Sequence, residues 1–337
     1  MWTAESWLTS ASNRSKEKGR WKKDIGRRTK GFEMKKILYF VACLCVLAGC
    51  QPTQQARVYG RYVPERKDDF AWENEYAAFR MYGLALLPEN PSNGVDLWLK
   101  ASPELVVDSF YYREHTLGLP YHINYGKGLD CYKVAHTVGC GGLAIVSDST
   151  LYVGGPYSSW EILEQTPNKL VFKLIYDSLL VCNQIMNGEI TITAEAGKML
   201  NRADVVVNCP TRIGLPHLYA GGGIYLHDTI DHIMQCSQCG AIAYAEDALS
   251  DSQAAKMNYE YNGSTSQGRD YVAVITPGAT RQEIINGSLL SLRKYHVGDT
   301  LTYYFGACWS EWKDGEKSMP TDDSWFDAVR EAAQNIE

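Results

Sequence analysis

Short runs of β-branched and aromatic residues dominate this sequence and restrict the folds that are open to it. In residues 189–195, Ile190, Ile192 and Ala194 alternate with charged or hydroxyl side chains. A period of two places the apolar side chains on one face of a strand and the polar ones on the other. The pattern is typical of antiparallel strands with one buried face and one hydrated face.

Further runs of this kind are bounded by Gly, Pro and Asn, which predicts that they are strands as well. They cover residues 58–63, 75–82, 95–99, 169–176, 203–207, 270–275 and 300–305. Asn187-Gly188 and residues 297–299 are predicted hairpin turns. At this length, the strands predict an all-β fold, in which two large antiparallel sheets pack face to face as a sandwich.

Few helices are predicted. Ser102 followed by Pro103 has the form of an N-cap and a first helical residue, so a helix is expected to begin there and to end near His115. A second, C-terminal helix is predicted over residues 325–336, where apolar residues recur at helical spacing.

Residues 34–50 have the order of a secretory signal. Two lysines precede an apolar run too short to cross a bilayer, and the run ends in Leu47-Ala48-Gly49-Cys50. This order resembles a bacterial lipoprotein signal, which is cleaved before a cysteine that carries diacylglycerol. The resemblance implies a protein of the cell envelope, lipid-anchored through Cys50. The alternative is a buried apolar helix followed by a chance cysteine.

The signal divides the chain into expected segments. Residues 1–33 are expected to be a spurious or disordered leader, and residues 34–49 the signal peptide. Residues 50–57 would form a lipidated tether, and residues 58–337 a single β-sandwich domain.

Charge argues against one class of partner. Removal of residues 1–49 takes away eleven of the 33 basic residues and four of the 39 acidic ones, so the net charge changes from −6 to −13. Such an acidic body repels phosphate backbones and anionic lipid head groups. We therefore expect no nucleic-acid partner, and membrane attachment only through the acyl chains.

Seven cysteines follow Cys50, so at least one remains unpaired. For Cys236 and Cys239 a close disulfide or two buried thiols is favoured over half of a zinc site or a redox pair, because no second pair of matching spacing follows. Four others lie in apolar or glycine-rich runs and are predicted to be small core residues. They are Cys131, Cys140, Cys182 and Cys308.

Residues 121–142 are the most unusual part of the chain, since they contain five glycines together with side chains that titrate. Glycines in this number indicate close backbone approach or positive φ angles. We predict that this segment lines a pocket, with tight packing at a sheet crossing as the alternative. The family resemblance described below implies an enzyme of uronate-containing sugars, and a lyase of this kind needs a base, an acid and a cation for the carboxylate. The candidate catalytic residues are His122, Tyr125, His136 and Arg202, with Tyr121 and Lys133 as substrate-binding residues.

Two other functions are open from the sequence, a carbohydrate-binding protein and a mutarotase or glycosidase. Trp309 and Trp312 are predicted to form a stacking floor for a sugar ring, which would also suit a non-catalytic carbohydrate-binding protein. A mutarotase or glycosidase would pair a carboxylate, Glu246 or Asp130, with His122 or His217. The group formed by His217, His227, His232, Asp228 and Asp231 is interpreted as a solvated loop, with a cation site as the alternative. The sequence specifies no cofactor or metal.

Six segments together resemble a family of secreted and lipid-anchored Bacteroidetes proteins, domain of unknown function 4861. They are residues 63–74, 80–83, 128–132, 141–142, 200–202 and 304–309. The resemblance implies a sandwich similar to that of galactose mutarotases and some polysaccharide lyases. It also implies a periplasmic or outer-membrane lipoprotein that acts on oligosaccharides of plant polysaccharides, pectin especially. It transfers no catalytic residues to this chain.

Overall fold

Strands occupy most of the chain, as the alternation predicts. The computed structural model describes residues 55–89, 91–210, 217–227, 232–248, 267–314 and 318–336. The predicted leader, the signal peptide and Cys50 lie outside the described residues, as do Asp228 and Asp231. Residues 54–337 form one compact unit. No helix within the described ranges is long and apolar enough to span a membrane.

The strands and helices are as follows. In chain order the strands are β1 (Tyr59–Val63), β2 (Asp69–Glu73), β3 (Ala77–Met81), β4 (Asp96–Lys100), β5 (Gly128–Asp130), β6 (Cys140–Ser147), β7 (Thr150–Tyr152), β8 (Ser159–Thr166), β9 (Lys169–Val181), β10 (Gln184–Glu195), β11 (Leu200–Asn208), β12 (Leu218–Tyr225), β13 (Ile233–Cys236), β14 (Ala241–Asp247), β15 (Arg269–Ile275), β16 (Arg281–Ile285), β17 (Ser288–Tyr295) and β18 (Thr300–Trp309). The helices are α1 (Val107–Tyr112), which continues as a π turn over Arg113–Leu117, and α2 (Asp322–Gln334).

The strands form three antiparallel sheets. Sheet I has the order β1-β2-β3-β4-β5, sheet II the order β13-β14-β15-β18-β11-β10-β9-β8, and sheet III the order β16-β17-β12-β6-β7. Sheets I and III are joined by a parallel bridge between Val95 and Gly139, where Cys140 N donates to Val95 O at 2.8 Å.

Sheet II packs against both smaller sheets. Trp72 and Phe79 of sheet I lie with their ring centroids 6.3 and 5.7 Å from that of Phe305 in sheet II. On sheet III, a Cβ at Gly222 would lie 2.8 Å from Tyr303 Cδ2, so this glycine permits the close approach of the two layers. The predicted all-β sandwich is confirmed, and one of its two layers is divided into two sheets.

The hairpin between β9 and β10 turns at a different place from the one predicted. Asn187 and Gly188 lie within β10, where the register with β9 shifts. The turn is formed by Cys182 and Asn183, whose φ angles of 50° and 60° are those of a primed two-residue turn. Cys182 is therefore a turn residue packed at the edge of the core. The predicted turn at residues 297–299 does connect β17 and β18.

Helix α1 begins four residues later than predicted, at Val107 rather than Pro103. Its first backbone N–H groups, those of Val106 and Val107, donate to the buried carboxylate of Glu73 at 2.8–3.0 Å. Lys100 Nζ lies 2.8 Å from the same carboxylate and is also buried. Because the capping group comes from β2, the Ser102-Pro103 signal did not locate the start of the helix. The prediction for α2 is confirmed, with Thr321 as its N-cap.

Candidate functional site

Two of the residues predicted in the glycine-rich segment, Tyr121 and His122, lie beside sheet I. Tyr121 is buried on the face of this sheet that α1 covers, and its hydroxyl lies 3.2 Å from Arg80 Nη1. His122 is partly exposed, with Nδ1 3.0 Å from the carbonyl oxygen of Asp130. The carboxylate of Asp130 is bound by Arg80 at 3.1 Å. Asp130 therefore neutralises a buried guanidinium group.

Arg202 lies on the opposite side of the molecule. Its neighbour Asn201 is buried, and accepts a hydrogen bond from Trp72 Nε1 of sheet I at 3.3 Å. Successive side chains of a strand alternate between faces, so Arg202 points away from sheet I. It is exposed there and pairs with Asp204 at 2.9 Å. The prediction that Arg202 and His122 meet in one cleft is wrong, because both layers of the sandwich separate them.

The remaining residues predicted in the glycine-rich segment are on the surface. Tyr125 is 40% exposed, and the guanidinium carbon of Arg113 lies 5.0 Å from its ring centroid. Lys133 and His136 are both exposed. The segment does not bring its candidate acids and bases together, although the backbone of Lys133 contributes to the cluster described below.

The two tryptophans predicted to stack on sugar are buried. Trp309 is 2% exposed and Trp312 is 1% exposed. Their indole N–H groups donate to the carbonyl oxygens of Gln267 and Glu75 at 2.7 and 2.9 Å. The prediction of an exposed floor at these residues is wrong, because the chain after β18 turns inward and packs Trp312 into the core.

His227, Glu246 and Asp270, which we call the acid–base cluster, lie at one end of the sandwich. His227 follows β12, and its Nδ1 lies 2.5 Å from Glu246 Oε1. Its Nε2 lies 2.7 Å from the carbonyl oxygen of Lys133. Both ring nitrogens thus face acceptors, which suits the imidazolium form. Burial lowers the pKa of His227, but the hydrogen bond and charge of Glu246 outweigh it, and the pKa is raised.

Glu246 and Asp270 are cross-strand partners on β14 and β15. Asp270 is 3% exposed, and burial together with the neighbouring charge of Glu246 raises its pKa well above the ordinary range. The proton of Asp270 is therefore held more tightly than that of an ordinary aspartic acid. Tyr244 Oη donates to Glu246 Oε2 at 2.8 Å. The Glu246 carboxylate is in this way held by an imidazole and a phenol beside the buried carboxyl group of Asp270.

Apolar and aromatic groups surround the cluster. The rings of Tyr132 and Tyr225 meet the imidazole edge-on, with centroid distances of 4.6 and 5.1 Å. Burial and nearby carboxylates raise the pKa of the Cys131 thiol, which keeps this thiol protonated. The side chains of His227 and Glu246 keep 18% and 15% of their surface exposed, so both reach solvent. The cluster can thus give and take protons at the protein surface.

A cavity of about 550 Å³ lies at the same end of sheet II. Its wall includes Trp309, the cross-strand partner of Asp270, and residues 267–268, which immediately precede β15. Lys313 and Glu311 supply charge at its rim. A ligand of a few sugar rings has a volume of this order.

The second histidine group separates in the structure. His232 pairs with Asp322 at 2.7 Å, and His217 is exposed. Glu246 was a candidate base from the sequence, but its partner is His227. Within the described ranges no group of three or more His, Cys, Asp or Glu side chains has the arrangement of a metal site. Cys236 and Cys239 form a disulfide.

Sequence reasoning missed Asp270. Its signal was present, because an acidic residue begins the otherwise apolar run of residues 270–275 and shares the inward face with Val272 and Val274. A buried carboxyl at such a position is a candidate functional group. Its proximity to Glu246 depends on the pairing of β14 with β15, which neither segment reveals alone.

Comparisons with known proteins give the following matches. The model of a family described as "Domain of unknown function (DUF4861)" matches residues 48–337. A relative from Formosa agariphila, "Uncharacterized protein P7", is 27% identical over 286 residues, which are 82% of this chain and 67% of the relative.

Among solved structures, a protein provisionally described as a kojibiose phosphorylase from the human microbiome matches with a TM-score of 0.39 and 8% identity. The match covers 82% of this chain and 35% of the phosphorylase, so the chain spans about a third of that protein's length. A likeness at this level does not bear on function.

Proposed function

The chain belongs to the DUF4861 family, and we propose that it is a carbohydrate-active enzyme that transfers protons at the reducing end of an oligosaccharide. The acid–base cluster carries this proposal through one observation, the contact of 2.5 Å between Glu246 and His227 beside the buried carboxyl group of Asp270. Paired groups with pKa values pushed in useful directions are typical of proton-transfer sites.

The cluster contains each group that opening and closing a sugar hemiacetal requires. Glu246 is the base that takes the proton of the anomeric hydroxyl. His227 is the acid: its Nε2–H leaves the carbonyl oxygen of Lys133 and gives its proton to the ring oxygen as the C1–O5 bond breaks. The reverse transfers close the ring on the other face. Tyr244 is a positioning residue, because its hydroxyl donates to the Glu246 carboxylate, and Asp270 is the buried cross-strand partner of Glu246.

Mutarotation is preferred over elimination and over hydrolysis. A lyase must neutralise the uronate carboxylate. Of the two cations predicted for this role, Arg202 faces away from the cluster, and Lys133 contacts His227 through its carbonyl oxygen. A glycosidase needs two carboxyl groups that flank the scissile bond. In this cluster the second carboxyl group, that of Asp270, is only 3% exposed and lies directly across the strand pair from Glu246.

The substrate class and the cellular location are parts of the same proposal. Oligosaccharides released from plant polysaccharides, pectin especially, are proposed because of the family resemblance stated for the sequence. We further propose that the protein works in the cell envelope, held to the outer membrane through acylated Cys50. An enzyme anchored there would meet sugars as they enter the periplasm.

The test is direct measurement of anomer interconversion by NMR on a panel of freshly dissolved mono- and oligosaccharides. Glu246→Gln should lower the rate by about 10²–10⁴, the contribution of a general base, while circular dichroism stays unchanged. His136→Gln and Arg202→Ala are matched controls at exposed polar positions and should keep the parent rate. Unsaturated products, or loss of activity in the two controls with Glu246→Gln still active, would refute the assignment.

A further inference from the structure

We propose a second carbohydrate-binding site, a surface platform for a neutral pyranose built from Trp160, Tyr62 and Asp68. It lies on β8 at one edge of sheet II, whereas Glu246 lies on β14 near the other edge. Six strand spacings separate these strands, which is roughly 30 Å. The platform is therefore distinct from the acid–base cluster. The inference shares the proposed carbohydrate class of ligand, but it does not require turnover.

Trp160 is an aromatic side chain that is both exposed and held in place. It is 38% exposed, although it belongs to the inward-facing side of β8. Its ring stacks on that of Tyr62 with a centroid distance of 5.0 Å and an interplanar angle of 24°. Phe70 packs against it at 5.7 Å and connects it to the aromatic core. An indole ring fixed in this way loses little conformational entropy when a ligand binds.

Asp68 supplies a carboxylate beside the stacked rings. One contact holds its side chain, and two hold its backbone. The hydroxyl of Tyr62 donates to its Oδ1, and that of Tyr157 donates to its backbone oxygen at 2.5 Å. A Cβ at Gly83 would lie 1.9 Å from the same backbone oxygen, so only glycine permits this approach. The hydrogen bond to Asp68 also raises the pKa of Tyr62 to about 12. The carboxylate is therefore oriented before any ligand arrives.

This combination fits one class of ligand. An aromatic face binds the apolar C–H face of a pyranose, and a carboxylate accepts hydrogen bonds from sugar hydroxyls. Tyr62 occupies one of about four acceptor positions on the carboxylate. A uronate bound in this position would place its own carboxylate against that of Asp68, so a neutral pyranose is the better fit. One indole and one carboxylate are also far smaller than a stable protein interface.

The test measures binding of galactan, xylan, mannan and polygalacturonate by affinity electrophoresis and isothermal titration. We expect the parent to bind at least one neutral glycan and Trp160→Ala to bind it at least about tenfold more weakly. Leu163→Ala is the matched control, because Leu163 lies on the same strand and is 48% exposed. It should bind as the parent does.

Asp68→Asn keeps the shape of the side chain and tests the platform independently if Trp160→Ala does not fold. It should weaken binding by roughly tenfold, since a hydrogen bond to a charged acceptor is replaced by a neutral one. Binding to polygalacturonate alone, binding unaffected by both variants, or no binding to any of the four glycans would overturn the platform. Glycan binding that depends on Trp160, without anomer interconversion, would count against the proposed enzyme only. Anomer interconversion without glycan binding that depends on Trp160 would count against the platform only.

Discussion

Glu246 and Asp270 face each other across adjacent antiparallel strands at one end of the sandwich. Burial and the neighbouring charge of Glu246 raise the pKa of Asp270. Glu246 itself reaches solvent and contacts the imidazole of His227. This division of roles follows from burial and is the basis of the proposed chemistry.

The first prediction concerns the protonation of His227. Glu246→Gln should lower the pKa of His227, because it removes the carboxylate that raises this pKa and leaves the burial that lowers it. NMR titration of the imidazole C–H resonances would measure the change. The resonances of His296, which is exposed and distant in the chain, provide the internal control. An unchanged or higher pKa for His227 would contradict the described hydrogen bond.

The second prediction separates core tryptophans from surface ones. Trp312→Ala should lower the free energy of unfolding by about 3–5 kcal/mol, as large truncations in a core do. Its ring is 1% exposed and stacks on Tyr76 at 4.8 Å. Urea unfolding would measure the loss, with Trp160→Ala as the exposed comparison. A small loss together with weakened sugar binding would restore Trp312 as part of a sugar platform.

The third prediction concerns the group that caps α1. Glu73→Ala should destabilise the protein by about 3–5 kcal/mol, because it leaves Lys100 buried without its partner and the first N–H groups of the helix without an acceptor. Glu104→Ala removes a carboxylate from an exposed pair with Lys127 and should cost less than about 1 kcal/mol. Equal losses in chemical unfolding would disprove the capping role.

The fourth prediction is a pH dependence of stability. Three buried carboxyls of sheet I, those of Asp69, Asp96 and Asp130, face the guanidinium groups of Arg66 and Arg80. Burial raises the pKa of Asp69 to about 6. A carboxyl with a raised native pKa binds a proton more tightly when folded. The contribution of Asp69 to the free energy of unfolding is fully present below about pH 4 and is lost as the pH rises to about 6.

The loss assigned to Asp69 is roughly 3 kcal/mol across that interval. Asp69→Asn should therefore show a smaller fall in unfolding free energy between about pH 4 and pH 6.5 than the parent. Urea denaturation at several pH values gives the two slopes. Parallel slopes would mean that Asp69 is ionised in the native protein.

The fifth prediction concerns membrane attachment. Cys50→Ser should abolish acylation and move the protein from the membrane to the soluble envelope fraction, because only the acyl chains are proposed to anchor it. Fractionation followed by immunoblotting measures this distribution. A variant that begins at Gln51 should melt cooperatively at the parent temperature. Continued membrane retention of Cys50→Ser would require another anchor.

The sequence alone determined several of the strands and which of their faces are buried. Residues 189–195 alternate in the sequence and in the structure, since side-chain direction in a strand is a local property with a period of two. The C-terminal helix was also predictable, because its apolar spacing and its capping residues are contained in one short segment. Family membership followed from segments spread along the chain.

Only the tertiary structure decided which of these residues meet. Arg202 and His122 looked like partners in the sequence, but strand alternation and sheet packing place them on opposite sides of the sandwich. Asp270 reaches Glu246, and Glu73 reaches α1, because strand order and layer packing join segments about 20 to 35 residues apart. Such contacts depend on which strands pair, and alternation within one strand carries no information about its neighbour.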